Sequence, residues 1–88
     1  MRPYLLIVHQ GQEDLAEMTQ VLTKQFPEFD VQGITLSEVR SAPLVAMNVA
    51  AEAVAVVSRQ QYAEEIRCLI ADYREVVGYP DPDTEVSP

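Results

Sequence analysis

Residues 1–36 of this 88-residue chain carry three hydrophobic patterns in succession, and their order restricts the fold more than any other feature. Residues 4–8 form a short apolar run with branched side chains, which predicts a buried strand because it is too short for a helix. From residue 15 apolar residues recur every three or four positions, which predicts an amphipathic helix that Pro27 ends. Residues 29–36 predict a second strand with a bulge at Gly33. Strand, helix and strand in this order predict an α/β or α+β domain.

The middle of the chain, residues 41–57, admits two interpretations. In the favoured one, residues 43–49 and 53–57 form a hairpin, and the order β-α-β-β-β-α builds a small mixed sheet of three to four strands with two main helices. Its weak point is the turn at residues 49–52, which offers no residue suited to a positive φ. In the alternative, residues 42–51 form an alanine-rich helix with Pro43 in its first turn. The order is then β-α-β-α-β-α around a small parallel sheet.

A second amphipathic helix is predicted for residues 59–77. Ser58 is placed as its cap, and Gly78 followed by Pro80 is typical of a helix end. Residues 80–88 combine acidic residues and prolines without apolar periodicity, so we expect a flexible acidic tail there. The sequence therefore predicts one compact domain, residues 1–79, followed by a tail, residues 80–88.

The composition excludes several classes of function. The chain has one cysteine and one histidine, and its 14 acidic and six basic residues give a formal net charge of −8. One cysteine supplies no intrachain disulfide, zinc quartet or redox pair, so we expect no metal and no cofactor. The negative charge would repel phosphate backbones, which predicts no direct nucleic-acid binding and favours a basic protein as partner.

The expected location follows from the apolar runs. None of them approaches the roughly 20 residues that cross a bilayer, and the run at residues 4–8 is too short for the core of a secretory signal. We therefore expect a cytoplasmic protein that does not bind membranes.

His9 is the residue best placed for chemistry. It follows the first strand and precedes a helix start, the position where open α/β sheets bind ligands. With the amides of Gly11 and Gln12 it could hold an anion or accept a phosphoryl group. The turn sequence around Gly11 matches no phosphate-binding loop pattern, however. The competing interpretation is a structural histidine that is hydrogen-bonded to a nearby carbonyl group.

The polar face of the second predicted helix is a candidate interface for a protein partner. Its residues are Glu64, Glu65, Cys68, Asp72 and Glu75. A helical projection places Cys68 away from the apolar stripe, so it should face solvent or a partner. Carboxylates beside Cys68 disfavour the thiolate and hence a nucleophilic role. The acidic residues of the tail lack the central glycine of a calcium loop, so we expect no metal site there.

These patterns predict a small acidic protein-interaction domain without enzymatic activity. It would act as an adaptor, a regulator or an inhibitor that masks a basic partner. Surplus apolar residues between positions 44 and 57 also fit self-association as a homodimer. The alternative is an anion-binding domain or phosphocarrier that uses His9.

Overall fold

The computed structural model describes residues 2–70 and 74–79. In chain order their elements are β1 Tyr4–His9, α1 Gln12–Gln25, β2 Asp30–Thr35, α2 Leu36–Ser41, α3 Pro43–Glu52, β3 Ala55–Arg59, α4 Gln60–Ile70 and β4 Val76–Tyr79. The α/β class predicted from the sequence is confirmed. Within the described residues, no helix combines the length and the apolar character needed to cross a membrane.

The four strands form one sheet in the order β2-β1-β3-β4, with every neighbouring pair parallel. β2 lies on one side of β1 and β3 lies on the other, so the chain changes its direction of winding after β2. Such a doubly wound sheet carries helices on both faces and opens a crevice at the carboxyl ends of the strands where the winding reverses. Here that crevice lies at the ends of β1 and β3.

The hairpin favoured for residues 43–57 is wrong, and the alternative helix is present as α3. Pro43 lies in its first turn, where the missing N–H has no helical partner to lose. Ala46 and Ala50, one turn apart, are buried. The parallel pairing of β3 with β1 requires a crossover connection, which a helix supplies and a tight hairpin does not. The sheet is therefore parallel, where the favoured interpretation expected a mixed one.

The helix predicted for residues 59–77 was too long. The described part of α4 ends at Ile70, and Val76–Tyr79 form the edge strand β4, which pairs with β3. Consecutive β-branched valines favour a strand where a neighbouring strand is available. Ser58 lies inside β3 and caps no helix, and Gly78 lies inside β4. The predicted tail, residues 80–88, lies outside the described residues.

Gly33 has a different role from the bulge predicted for it. The register between β1 and β2 runs without interruption through this position. A Cβ atom at Gly33 would lie 2.9 Å from Leu15 Cδ1 and 3.0 Å from His9 Nε2. The absence of a side chain thus lets α1 and the His9 ring pack directly on the strand.

A capping box ends β2 and begins α2. Thr35 Oγ1 accepts a hydrogen bond from the Glu38 N–H at 3.0 Å, and the Glu38 carboxylate accepts one from the Thr35 N–H at 3.1 Å. This pair satisfies two backbone donors that a helix start otherwise leaves without partners. Leu36, predicted to lie in the strand, is therefore the first residue of a helix.

The two faces of the sheet are covered unequally. We call the face packed against α2, α3 and α4 the closed face; Val56 and Val76 on it are 0% and 2% exposed. We call the other face the open face, because α1 covers its β1 and β2 strands and Val57 of β3 but leaves the β4 edge uncovered. Val77, on the open face, is 42% exposed.

Candidate functional site

The crevice where the winding reverses collects the last residues of three strands. His9 ends β1, Thr35 ends β2 and Arg59 ends β3. Ligands of open α/β sheets bind at this position, because the loops on either side of it diverge. The crevice is therefore the position in this fold where a ligand-binding or catalytic site is expected.

His9 is buried between α1 and β2, with 8% of the residue exposed. Its Nδ1 lies 3.1 Å from the carbonyl oxygen of Gly11. Because a carbonyl only accepts, Nδ1 carries the proton in this contact. The Nε2 side of the ring faces the backbone of Gly33, which leaves little room there for a tetrahedral phosphoryl group. This geometry supports the structural interpretation of His9.

The turn after His9 holds the other two residues predicted to bind an anion. Gly11 is the N-cap of α1, with extended backbone geometry, and Gln12 is exposed. The Gln10 N–H donates to Asp14 Oδ2 at 3.0 Å. Glu13 and Asp14 lie in the first turn of the helix, where they complement the positive end of its dipole. Two carboxylates at this position oppose the approach of a second anion.

An ion-pair cluster around Arg59 lies in the crevice and was not predicted. Arg59 Nε donates to Asp14 Oδ1 at 2.9 Å, and Nη2 donates to Glu17 Oε1 at 3.0 Å. The Arg59 side chain is 9% exposed, against 18% for Asp14 and 70% for Glu17. Asp14 therefore joins two parts of the fold, since one carboxylate oxygen holds the β1–α1 turn and the other holds the end of β3.

A second polar chain crosses the crevice toward α4 and α2. Gln10 Nε2 donates to the Tyr62 hydroxyl at 2.9 Å, and Arg40 Cζ lies 5.9 Å from the centre of the Tyr62 ring. Arg40 Nε and Nη2 bind the two oxygens of Glu65 at 2.6 and 2.9 Å. This hydrogen-bonded pair lowers the pKa of Glu65 and raises the pKa of Arg40.

Glu38 adds a further carboxylate near His9. Hydrogen bonds from the backbone N–H and then the hydroxyl of Thr35 lower the pKa of Glu38, and the nearby His9 imidazole lowers it further to a smaller extent. Glu38 is thus held ionised as part of the α2 cap. Its carboxylate accepts hydrogen bonds from the N–H and the hydroxyl of Thr35 at the start of the helix.

All five arginines of the chain donate hydrogen bonds to acceptors of the same chain. Arg40 and Arg59 bind carboxylates, as described above. The others bind backbone carbonyls: Arg2 binds those of Pro27 and Glu28, Arg67 that of Val76, and Arg74 those of Ala51 and Ala53. Arg2 and Arg67 also form exposed ion pairs, with Asp30 and Glu64 respectively. The guanidinium groups therefore support the fold, and the excess of 14 acidic over six basic residues makes the net charge of the chain negative.

The structure describes four of the five residues predicted to form an interface on the second helix. Glu65 is bound by Arg40, and Glu64 Oε1 lies 3.2 Å from Arg67 Nη1. Cys68 is exposed, as predicted, and so is Glu75, which precedes β4. Asp72 lies outside the described residues. Among the residues that are described, no group of three His, Cys, Asp or Glu side chains is arranged to hold a metal ion.

Between α1 and the β4 edge, the open face forms an apolar groove of about 310 Å³, which we call the β3–β4 groove. Val57 and Val77 lie on its floor, Leu22 and Phe26 of the α1 side form a wall, and Tyr79 lies at the carboxyl end. Every described residue that lines it, except Gln25, is aliphatic or aromatic. Phe26 and Val77 are 40% and 42% exposed, so the groove leaves large apolar side chains in contact with water.

Sequence reasoning missed this groove because its residues come from three separate segments. One helix cannot cover a whole face of a four-stranded sheet, so an uncovered edge could have been predicted from the sequence only if β4 had been recognised as a strand.

Comparisons with models of protein families, with curated proteins and with solved structures found no match for this chain.

Proposed function

We propose that this chain is a small, acidic, non-enzymatic protein-interaction domain that acts in the cytoplasm as an adaptor, a regulator or an inhibitor of a basic partner protein. The observation that carries the proposal is the β3–β4 groove, an apolar surface on a domain whose other sheet face packs against three helices. Exposed apolar surface of this kind is typical of sites that a partner covers.

The charge distribution supports a basic partner. The chain has a net charge of −8, and its five arginines are bound within the chain. A partner that brings lysines and arginines to the rim of the groove gains long-range attraction as well as apolar contact. A second copy of this chain would bring another eight negative charges instead.

A site-specific cross-linking experiment tests the proposal. A photo-reactive amino acid is placed at Val77 in the groove and, as a matched control, at Val45, an exposed valine of α3. We expect a discrete protein to be captured from position 77 in the native cell and not from position 45. The purified partner should then bind the wild type at least tenfold more tightly than Val77→Asp, with Val45→Asp unchanged.

Two results would contradict the proposal. One is the same set of cross-linked proteins from both positions. The other is a captured partner whose affinity is insensitive to Val77→Asp, because that result places the contact elsewhere on the surface.

The second candidate function, an anion-binding domain or phosphocarrier, is favoured by the position of His9 at the crevice. Its surroundings weigh against it, since Nδ1 is bound to Gly11 and carboxylates surround the helix start. Titration with inorganic phosphate, followed by NMR, tests whether an anion binds at His9. Selective shifts at His9, Gly11 and Gln12 that His9→Gln abolishes would support it, and unchanged spectra would remove it.

A further inference from the structure

The β3–β4 groove runs beside α1 at the β4 edge of the open face. Neighbouring strands lie roughly 4.8 Å apart, so β3 and β4 together present a floor about 10 Å wide. An α-helix with its side chains is about 10–12 Å in diameter. α1 packs over β1 and β2 and also covers Val57 of β3, which is 4% exposed, so a second helix beside it at the usual spacing of about 8–10 Å would contact mainly the exposed side chains of Phe26, Val54 and Val77.

An added strand suits this site less well than a helix. β4 is the edge strand and has only four residues. The carbonyl oxygen of Val76 is already bound by Arg67 Nη2 at 2.7 Å, while that of Glu75 accepts from the Val56 N–H on the β3 side. Arg67 therefore occupies part of the outward edge that a fifth strand would need for its hydrogen bonds.

The charges beside the groove determine what the polar face of such a helix should carry. Glu17, 70% exposed, lies on α1 near the carboxyl end of the groove, where it shares Arg59 with Asp14. A helix with lysines or arginines on its polar face complements this end, and an acidic helix is repelled.

We infer that the β3–β4 groove receives an amphipathic helix of a basic partner, whose apolar stripe packs on Phe26, Val54 and Val77 beside α1. The inference rests on the proposed function and narrows it to one partner chemistry. A segment of about 14 residues, roughly 21 Å long, would span the floor.

Three synthetic peptides of 14 residues test the inference. The first has a leucine and alanine stripe with a polar face of lysine and arginine. The second keeps the stripe and replaces the basic residues by glutamate. The third has the composition of the first in an order that destroys the stripe. Binding to the wild-type chain is followed by NMR shifts and by fluorescence anisotropy at low and moderate salt.

We expect the basic amphipathic peptide to bind at least tenfold more tightly than the other two, with shifts at Val57, Val77 and Phe26. Val77→Asp should weaken this binding at least tenfold, whereas Val45→Asp should leave it unchanged. Moderate salt should weaken it several-fold, because part of the attraction is between exposed charges.

Three outcomes would overturn the inference. They are equal binding of the three peptides, shifts confined to residues outside the groove, and a dimer of the chain alone in light scattering that Val77→Asp dissociates. Peptide failure combined with a specific cross-link from position 77 overturns the helical partner and leaves the interaction domain standing. Failure of both experiments removes the proposed function as well.

Discussion

Val76 and Val77 are neighbours in β4, yet the first is 2% exposed and the second 42%. Val76 points into the closed face beneath α4, and Val77 points into the β3–β4 groove at the edge of the open face. The two residues have the same intrinsic hydrophobicity and the same strand geometry. The difference teaches that burial at this edge is decided by the helices on each face, because the two side chains are identical.

The difference in burial between the two faces is tested most directly by placing the same charge on each face. Val76→Asp buries a carboxylate among apolar side chains and should cost about 4 kcal/mol or more, a large part of the stability of a small domain. Val77→Asp leaves its carboxylate in water and should cost about 1 kcal/mol, mainly from strand preference. Urea unfolding followed by circular dichroism measures both, and similar losses would show that the open face is not open in solution.

The covered half of the open face depends on the position of α1, which the Asp14–Arg59 pair ties to β3. Asp14→Ala leaves the buried guanidinium with one carboxylate fewer and frees the Gln10 N–H, so we expect a loss of about 3 kcal/mol. The matched variant Glu17→Gln removes an exposed partner of the same guanidinium and should cost less than about 1 kcal/mol. Thermal unfolding at pH 7 compares them, and equal effects would place the two carboxylates in equivalent surroundings.

The packing of α1 on β2 can be tested at Gly33. Gly33→Ala forces a methyl group against Leu15 and His9 and should cost about 1–3 kcal/mol. Gly11→Ser, the control, adds a side chain at an N-cap with no atom within 4 Å of the new Cβ. Because serine is a favoured N-cap residue, this variant should be neutral or slightly stabilised. A harmless Gly33→Ala would mean that α1 packs more loosely than described.

A tyrosine on each face gives a finer comparison. The Tyr4 hydroxyl donates to the Val49 carbonyl at 2.7 Å, whereas no hydrogen bond of the Tyr79 hydroxyl is seen among the described residues. Tyr4→Phe should therefore cost about 1 kcal/mol and Tyr79→Phe almost nothing. Burial, with a contribution from Glu52, raises the pKa of Tyr4, so its absorbance titration should begin at higher pH than that of free tyrosine. An ordinary titration of Tyr4 would contradict its burial on the closed face.

The smallest expected effect concerns the cap of α2, which packs on the closed face. The pKa of Glu38 is lowered from its ordinary value of 4.5 in the folded chain, so its ionised form contributes stability above that value. The contribution is lost as the pH falls through the lowered folded pKa. Glu38→Gln should therefore be less stable than wild type near neutral pH, with a gap that closes in acid. Ser37→Ala, an exposed neighbour, should show no such dependence, and a gap that persists in acid would contradict the assignment.

The elements that the sequence predicted correctly are those whose burial follows a regular period. β1 is buried at every residue, and the buried residues Met18 and Leu22 of α1 lie one turn apart. In α3 the buried residues are not the most hydrophobic ones. Its small residues Ala46 and Ala50 are buried, while Leu44 and Val45 are 74% and 56% exposed. Hydrophobicity alone therefore indicated the wrong face of the segment and favoured strands.

The candidate site was predictable only where it depends on local order. His9 and Gly11 could be placed at the end of β1 because a strand, a turn and a helix follow one another there. The Asp14–Arg59 pair joins residues 45 positions apart, and Glu17 is 42 positions from Arg59. Such contacts depend on the strand order of the sheet, which no local pattern contains. The β3–β4 groove depends on the same strand order.

The inward bonds of the five arginines have a consequence for how fast this chain finds other molecules. Each arginine lies close to an acceptor of the chain, and with 14 acidic against six basic residues a molecule at a distance meets a mainly negative field. Such a field slows encounters between copies and keeps a concentrated solution dispersed. The same field raises the association rate of a positively charged partner above that of a neutral one of equal final affinity. Selection among partners would thus begin before contact, in the rate of encounter.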